Sequence, residues 1–206
     1  MKIDKKKIGI INLGSHNLFS ISQAIKNFKH SVKIINNSGE INKFDIIILP
    51  GVGTFSNAIQ LLNSSGMSSE LKKFSQNRNN KLIGICLGMQ VLLSEGNEFG
   101  NHKGLDIIKG SVIRLGKTKT NISWKKLKIN KNSSYKFLNK NLEKNYFYFV
   151  HSFYCSLKDE NLIKAKFNIK NKEYCGMFIK NNIIGLQFHP EKSGEAGLML
   201  LKNILK

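Results

Sequence analysis

The sequence predicts an α/β fold: a mostly parallel central sheet flanked by helices, with additional antiparallel strands in the C-terminal half. Three observations predict it. Short apolar runs alternate with helix-periodic segments through the first half, the order that builds parallel βαβ units. The second half is mostly strand-like runs in succession, a pattern that suits antiparallel pairing. The 206 residues suit one domain, 1–206, with a sizeable core.

Ile8 to Leu13 is a short apolar run ending at Gly14 and predicts the first strand. Leu18, Ile21, Ile25 and Phe28 then share one helical face. Val32 to Ile35 and Asp45 to Leu49 predict two further strands, and Phe55, Ala58, Ile59 and Leu62 a second helix. Leu82 to Ile85 is one more strand, running into Cys86, and an amphipathic helix is expected over Leu87 to Leu93. Beyond it, strands are predicted over Val112–Leu115, Lys126–Ile129, Tyr146–Val150, Leu162–Phe167, Tyr174–Ile179 and Ile183–Phe188. Lys180-Asn181-Asn182 reads as a hairpin turn between the last two. A helix over Glu195 to Leu205 closes the chain.

The composition narrows the function. Lys and Arg number 33 against 13 Asp and Glu, a net charge of +20. The lysines are spread along the chain without basic-aromatic interleaving or a base-stacking motif. A nucleic-acid partner is therefore not expected, whereas a basic docking surface or steering of an anionic substrate remains open. No apolar run approaches the roughly 20 residues that span a bilayer, and Met1 to Lys7 lead into a strand rather than a signal-peptide core. No membrane association is expected, and the location expected is cytoplasmic. Three cysteines argue against a disulfide framework. They and the five histidines show no metal-ligand spacing, so no metal and no cofactor are expected.

Gly84-Ile85-Cys86-Leu87-Gly88 carries the chemistry. A strand leads in and a helix leads out, the context of a nucleophile elbow. Glycines on both sides are expected to let the backbone turn sharply, so that the Cys86 side chain projects into solvent. At a helix N-terminus the dipole favours the reactive thiolate. The Leu87 amide is then placed to donate to a developing oxyanion. Gln90, four residues on, shares the face of Cys86 and can reach a substrate bound to the thiol. Cys155 and Cys175 lack such a setting and read as structural.

A thiol nucleophile needs a base, and the base needs an orienting group. His189 lies just past a strand in Gln187-Phe188-His189-Pro190-Glu191-Lys192, with the Glu191 carboxylate two residues on. His151, in Val150-His151-Ser152-Phe153, is its rival but has no such carboxylate. His30 and His102 sit in polar surroundings and are expected to be solvated, while His16 follows the first strand close to the site.

These residues resemble the class I glutamine amidotransferases. Within that family they are most similar to the glutaminase subunits of imidazole glycerol phosphate synthases, from histidine biosynthesis. The resemblance rests on four blocks in order: Leu49-Pro50-Gly51-Val52-Gly53, Gly84-Ile85-Cys86-Leu87-Gly88-Met89-Gln90, Phe149-Val150-His151-Ser152 and Gln187-Phe188-His189-Pro190-Glu191-Lys192-Ser193. It implies a catalytic triad of Cys86, His189 and Glu191. It implies that Gly51, Val52 and Gly53 form an oxyanion and gating loop with Leu87, and that Gln90, Glu98 and Ser152 bind glutamine. Glycines after a parallel strand also expose backbone amides where α/β ligands bind, although a simple turn after Pro50 would need the same residues.

The activity implied is hydrolysis of glutamine, with ammonia passed to a cyclase or synthase subunit in a heterodimer. Two segments depart from the family pattern. Its Asp-Tyr-Gly-x-Gly-Asn is here Asn12-Leu13-Gly14-Ser15-His16-Asn17, and its Pro-His-x-Gly-Trp-Asn is Thr120-Asn121-Ile122-Ser123-Trp124-Lys125. Both face the synthase partner in the family, so the acceptor has an alternative: a sugar amidotransferase making amidino sugars for surface polysaccharide. A non-catalytic regulatory subunit is a further alternative, disfavoured by the intact Cys, His and Glu set. Hydrolysis of another amide is a third.

Overall fold

The computed structural model describes residues 5–14, 18–116, 120–130 and 133–206. Strand β1 (Lys7–Ile11) leads to helix α1 (Leu18–Asn27), then β2 (Ser31–Ile35), β3 (Ile46–Leu49), α2 (Phe55–Ser64), α3 (Met67–Gln76) and β4 (Lys81–Ile85). The short helix α4 (Leu87–Val91) follows, with β5 (Leu93–Gly96), β6 (His102–Lys103), β7 (Ile108–Arg114), β8 (Asn121–Lys126) and β9 (Lys128–Ile129). The chain closes with β10 (Tyr146–His151), β11 (Phe153–Leu157), β12 (Ile163–Ile169), β13 (Lys172–Lys180), β14 (Ile183–Leu186) and α5 (Gly194–Ile204).

Among the described residues the main sheet has eight strands, in the order β2-β1-β3-β4-β14-β13-β12-β9. From β2 to β14 neighbouring strands are parallel, and β13, β12 and β9 then join antiparallel. The fold class is the one the sequence predicts. β11, β7, β5 and β6 form a smaller sheet, and β8 pairs with β10 apart from both.

Period-two alternation sends side chains to opposite faces of the central strands, so both faces of this sheet are apolar. Ile8, Ile10, Ile46, Ile48, Ile83 and Ile85 pack with Ile21 and Ile25 of α1 and Leu200, Leu201 and Ile204 of α5. Ile47, Leu49 and Leu82 face the other way, onto Leu62 of α2, Leu71 and Phe74 of α3, and Leu93 and Ile108 of the smaller sheet. Each such side chain contributes about 1.5–3 kcal/mol on full burial, which is why neither face of the sheet is left open.

Several boundaries differ from the sequence reading. β1 stops at Ile11, because Asn12 turns its side-chain oxygen to the Gly14 amide at 2.9 Å. Helix α3 was not predicted: Met67, Leu71 and Phe74 are its only buried residues, and the polar ones between them hide the period. α4 is shorter than expected and buried on every side rather than amphipathic, since the chain passes at once into β5. The Lys126–Ile129 strand is split between β8 and β9, which belong to different sheets.

Candidate active site

β3, β4 and β14 are adjacent parallel strands, and the segments that follow them meet at their C-terminal ends. These are the 50–53 loop, Cys86, and the stretch from Gln187 to Glu191. This is the edge where open α/β sheets bind ligands.

Cys86 itself carries the sharp turn, with φ 54° and ψ −110°, between the end of β4 and the start of α4. A positive φ at a non-glycine residue is strained, and it persists only where the surroundings over-determine it. They do so here: the Cys86 amide donates to the Leu186 carbonyl at 2.7 Å and its own carbonyl accepts from the Gln90 amide at 3.2 Å. The flanking glycines serve close packing instead of the turn. A Cβ on Gly88 would lie 1.6 Å from the Leu49 carbonyl oxygen, and one on Gly84 would lie 2.6 Å from the Gly88 oxygen. The expected projection into solvent is also corrected, for Cys86 is only 5% exposed. It lies in a cavity of about 230 Å³, with Val52, Gly53, Leu87, Gln90, Glu98, Thr120, Val150, His151, Ser152 and Phe153 on the walls.

His189 is fully buried behind the thiol, and its Nδ1 lies 2.8 Å from Glu191 Oε1, whose side chain is also fully buried. Burial disfavours the imidazolium, but hydrogen bonds to Cys86 and Glu191 and their negative charges outweigh it and raise the His189 pKa to about 10. The backbone fixes the ring as well. The His189 amide donates to the Tyr148 carbonyl at 2.9 Å. Ser193 Oγ donates to the His189 carbonyl at 2.6 Å and accepts from the Tyr148 amide at 3.0 Å. A turn over Pro190–Lys192 closes the segment and brings Glu191 back to the ring.

His151 lies on the cavity wall but is engaged elsewhere: Nδ1 donates to the Phe153 carbonyl at 2.7 Å and Nε2 accepts from Asn121 Nδ2 at 3.1 Å. Burial lowers its pKa to about 4. His30 is buried, against the solvated position expected, and its Nδ1 accepts from the Lys6 amide at 3.3 Å. His102 is half-buried. His16 lies outside the described residues. Cys155 and Cys175 are buried, and burial pushes the Cys175 thiol up to about 12 and that of Cys155 well above its ordinary value.

Val52, Gly53 and Leu87 border the cavity, while Gly51 packs beneath it, where an added Cβ would lie 2.8 Å from Leu87 Cβ. Leu87 opens α4, so its amide lacks an intrahelical acceptor. Gln90 Nε2 donates to the Phe153 carbonyl at 3.0 Å and to Gln187 Oε1 at 3.2 Å. Glu98 reaches the wall while its Oε2 accepts from the first amide of α2, that of Phe55, at 2.6 Å. Ser152 Oγ lies 2.9 Å from Thr120 Oγ1. Thr120, Phe153 and Gln187 were not assigned roles from the sequence. Each stands in a segment singled out there, Gln187 in the block around His189. A thiol beside a buried, carboxylate-oriented imidazole, at the N-terminal end of α4, is equipped for acyl transfer.

Among the described residues no group of three or more His, Cys, Asp or Glu side chains could hold a metal ion. No described helix is long and apolar enough to cross a membrane.

Residues 9–206 match the family model described as Glutamine amidotransferase class-I. The chain is 40% identical over 200 residues to an imidazole glycerol phosphate synthase subunit HisH from Caldanaerobacter subterraneus subsp. tengcongensis, covering 95% of this chain and 96% of that one. It is 36% identical over 198 residues to the protein of the same name from Chlorobaculum tepidum, covering 94% and 96%. Its fold is similar to that of a glutamine amidotransferase from Thermotoga maritima, with a TM-score of 0.68, 16% identity and coverage of 97% and 96%.

Proposed function

The chain belongs to the class I glutamine amidotransferases, and from that premise we propose that it is the glutaminase subunit of an imidazole glycerol phosphate synthase. It hydrolyses glutamine to glutamate and ammonia, and a separate cyclase subunit receives the ammonia in a heterodimer. The chemistry rests above all on one observation: the buried His189–Glu191 pair at 2.8 Å, set against the thiol of Cys86. The pathway rests on relatives at 36% and 40% identity over nearly the full chain, both named HisH. No observation favours the sugar-amidotransferase alternative, and a regulatory subunit would have no use for the strained Cys86 turn.

Cys86 Sγ attacks the side-chain amide carbon of glutamine, its proton held by His189. Glu191 on Nδ1 leaves Nε2 for this proton and stabilises the imidazolium. The oxyanion is received by the Leu87 amide and by the Gly51-Val52-Gly53 loop. His189 then gives its proton to the leaving nitrogen, so ammonia departs and a thioester remains on Cys86. Water, activated by His189, cleaves the thioester and releases glutamate. Gln90, Glu98 and Ser152 hold the amino-acid end of glutamine during both steps.

Docking of the cyclase has a candidate face beside the cavity. Ile122 and Trp124 on β8 and Tyr146 on β10 are exposed large apolar side chains, and β8 begins next to Thr120 on the cavity wall. Reconstitution with the cyclase subunit tests the whole reading. Glutamine-dependent synthesis is expected from the pair, and Cys86→Ala should abolish it while ammonia-dependent synthesis continues. A Cys86→Ala chain keeping more than about a thousandth of the glutaminase activity would overturn the assignment, given the losses typical of triad residues.

A further inference from the structure

We propose that Gln187 is a positioning residue that polarises the glutamine site. Its side-chain amide donates to the Cys86 sulfur and, at the same time, fixes the carbonyl of Gln90 toward the substrate. This rests on the glutaminase reading above. Gln187 is wholly buried, and its own amide donates to the Gly176 carbonyl at 2.9 Å. Its Nε2 lies 3.7 Å from Cys86 Sγ, a hydrogen-bond distance for sulfur, and its Oε1 accepts from Gln90 Nε2 at 3.2 Å.

The direction of these bonds follows from one end. The Phe153 carbonyl can only accept, and it receives both Gln90 Nε2 at 3.0 Å and His151 Nδ1 at 2.7 Å. Gln90 therefore turns its NH₂ to Phe153. The second hydrogen of that group needs an acceptor, which Gln187 supplies with Oε1. That leaves the Gln187 NH₂ for the sulfur. With both amide hydrogens consumed inside the protein, Gln90 has only its carbonyl oxygen left for the cavity. An oxygen so placed accepts from a donor such as the α-ammonium of an amino acid and rejects an acceptor in its place. Meanwhile the Gln187 amide donates to Sγ and the Val150 carbonyl accepts from it, each at 3.7 Å, so the sulfur is held between them.

Two substitutions separate these effects. Gln187→Glu keeps shape and the acceptor for Gln90 but puts an anion where the donor to sulfur was. Gln187→Leu removes both functions. The first readout is the rate of Cys86 alkylation by iodoacetamide at fixed pH, followed by peptide mass spectrometry, which resolves Cys86 from Cys155 and Cys175 and needs no glutaminase activity. The rate should change about threefold or more in both variants, because the donor that holds the sulfur is lost. The second readout is glutamine kinetics of the heterodimer. KM should rise about tenfold in Gln187→Leu and much less in Gln187→Glu, because only the former frees the Gln90 amide to rotate. Thermal melts of both chains verify that the variants are folded. An unchanged alkylation rate in folded Gln187→Glu overturns the proposal, as does equal KM in the two variants. A native heterodimer that hydrolyses no glutamine would instead overturn the glutaminase reading, leaving the alkylation result to stand for itself.

Discussion

Glu191 Oε1 sits 2.8 Å from His189 Nδ1 with neither side chain exposed to water, so the carboxylate has no competing solvent and the ring no other orientation. Orientation and proton transfer are separable contributions. His189→Asn should remove nearly all glutaminase activity of the heterodimer, Glu191→Gln should fall by a smaller factor, and His151→Asn least of all. Steady-state rates of the three variants measure the order. A His151→Asn loss exceeding that of His189→Asn would mean that the wrong histidine holds the proton.

The His151 ring predicts a pH dependence of stability. Burial lowers its pKa from 6.5 to about 4, while in the unfolded chain it titrates near 6.5. Below pH 6.5 the unfolded state therefore takes up a proton that the folded state refuses, and stability is lost as pH falls toward 4. The loss is on the order of 3 kcal/mol across that window. The raised pKa of His189 acts at the other end: the stability it contributes is full below about 6.5 and lost as pH rises toward 10, so it adds little slope below pH 6.5. Urea unfolding of the native chain and of His151→Asn at pH 7 and pH 4.5 isolates the effect. Equal pH slopes for the two proteins would exclude it.

Gly88 predicts a large stability effect without any contact being lost. An alanine there would place its Cβ 1.6 Å from the Leu49 carbonyl oxygen, and backbone cannot swing aside as a side-chain tip can. Gly88→Ala should cost about 3 kcal/mol or more, lowering the melting temperature by roughly 10 °C in a chain of this size. A melt within a degree or two of the native value would show that α4 and β3 separate easily.

How much of this was legible in the sequence follows from distance along the chain. Cys86, His189 and Glu191 stand in short motifs at strand ends, and the parallel sheet that unites those ends follows from the βαβ order. Glu191 was visible because it lies two residues from the ring it orients. Gln187 bonds Gln90, 97 residues away, and nothing local announces that pairing. The Cys86 turn was misassigned to its glycines, because a Gly-x-Cys-x-Gly pattern suits both a flexible turn and a tight crossing of backbones. His30 looked solvated among polar neighbours, yet it is buried and its Nδ1 accepts from the Lys6 amide in the segment before β1. Helix α3 was missed because three apolar residues in ten leave the helical period faint.

The Gly51-Val52-Gly53 loop predicts how the partner governs the rate. Gly53 has φ 122°, a conformation that residues with a Cβ rarely adopt, and Val52 and Gly53 are exposed at the cavity rim. Gly51 is pinned beneath them against Leu87. One end of the loop is thus packed against α4 while the other is exposed, and an exposed glycine allows a peptide to rotate, which would turn an amide toward or away from the cavity. Ammonia released without an acceptor wastes glutamine, so the loop has reason to stay turned away until the cyclase is docked and loaded. Losing one oxyanion donor costs about a hundredfold to a thousandfold, and the isolated chain should be slower than the loaded heterodimer by that factor. Gly53→Ala should change the ratio of stimulated to isolated rate with little change in glutamine KM, because a Cβ penalises the loop conformation at φ 122° while the binding side chains stay in place. Glutaminase rates with and without the cyclase, and with and without its acceptor, measure both effects. Equal rates under all conditions would mean that the oxyanion hole is permanently formed and that the loop is only a turn.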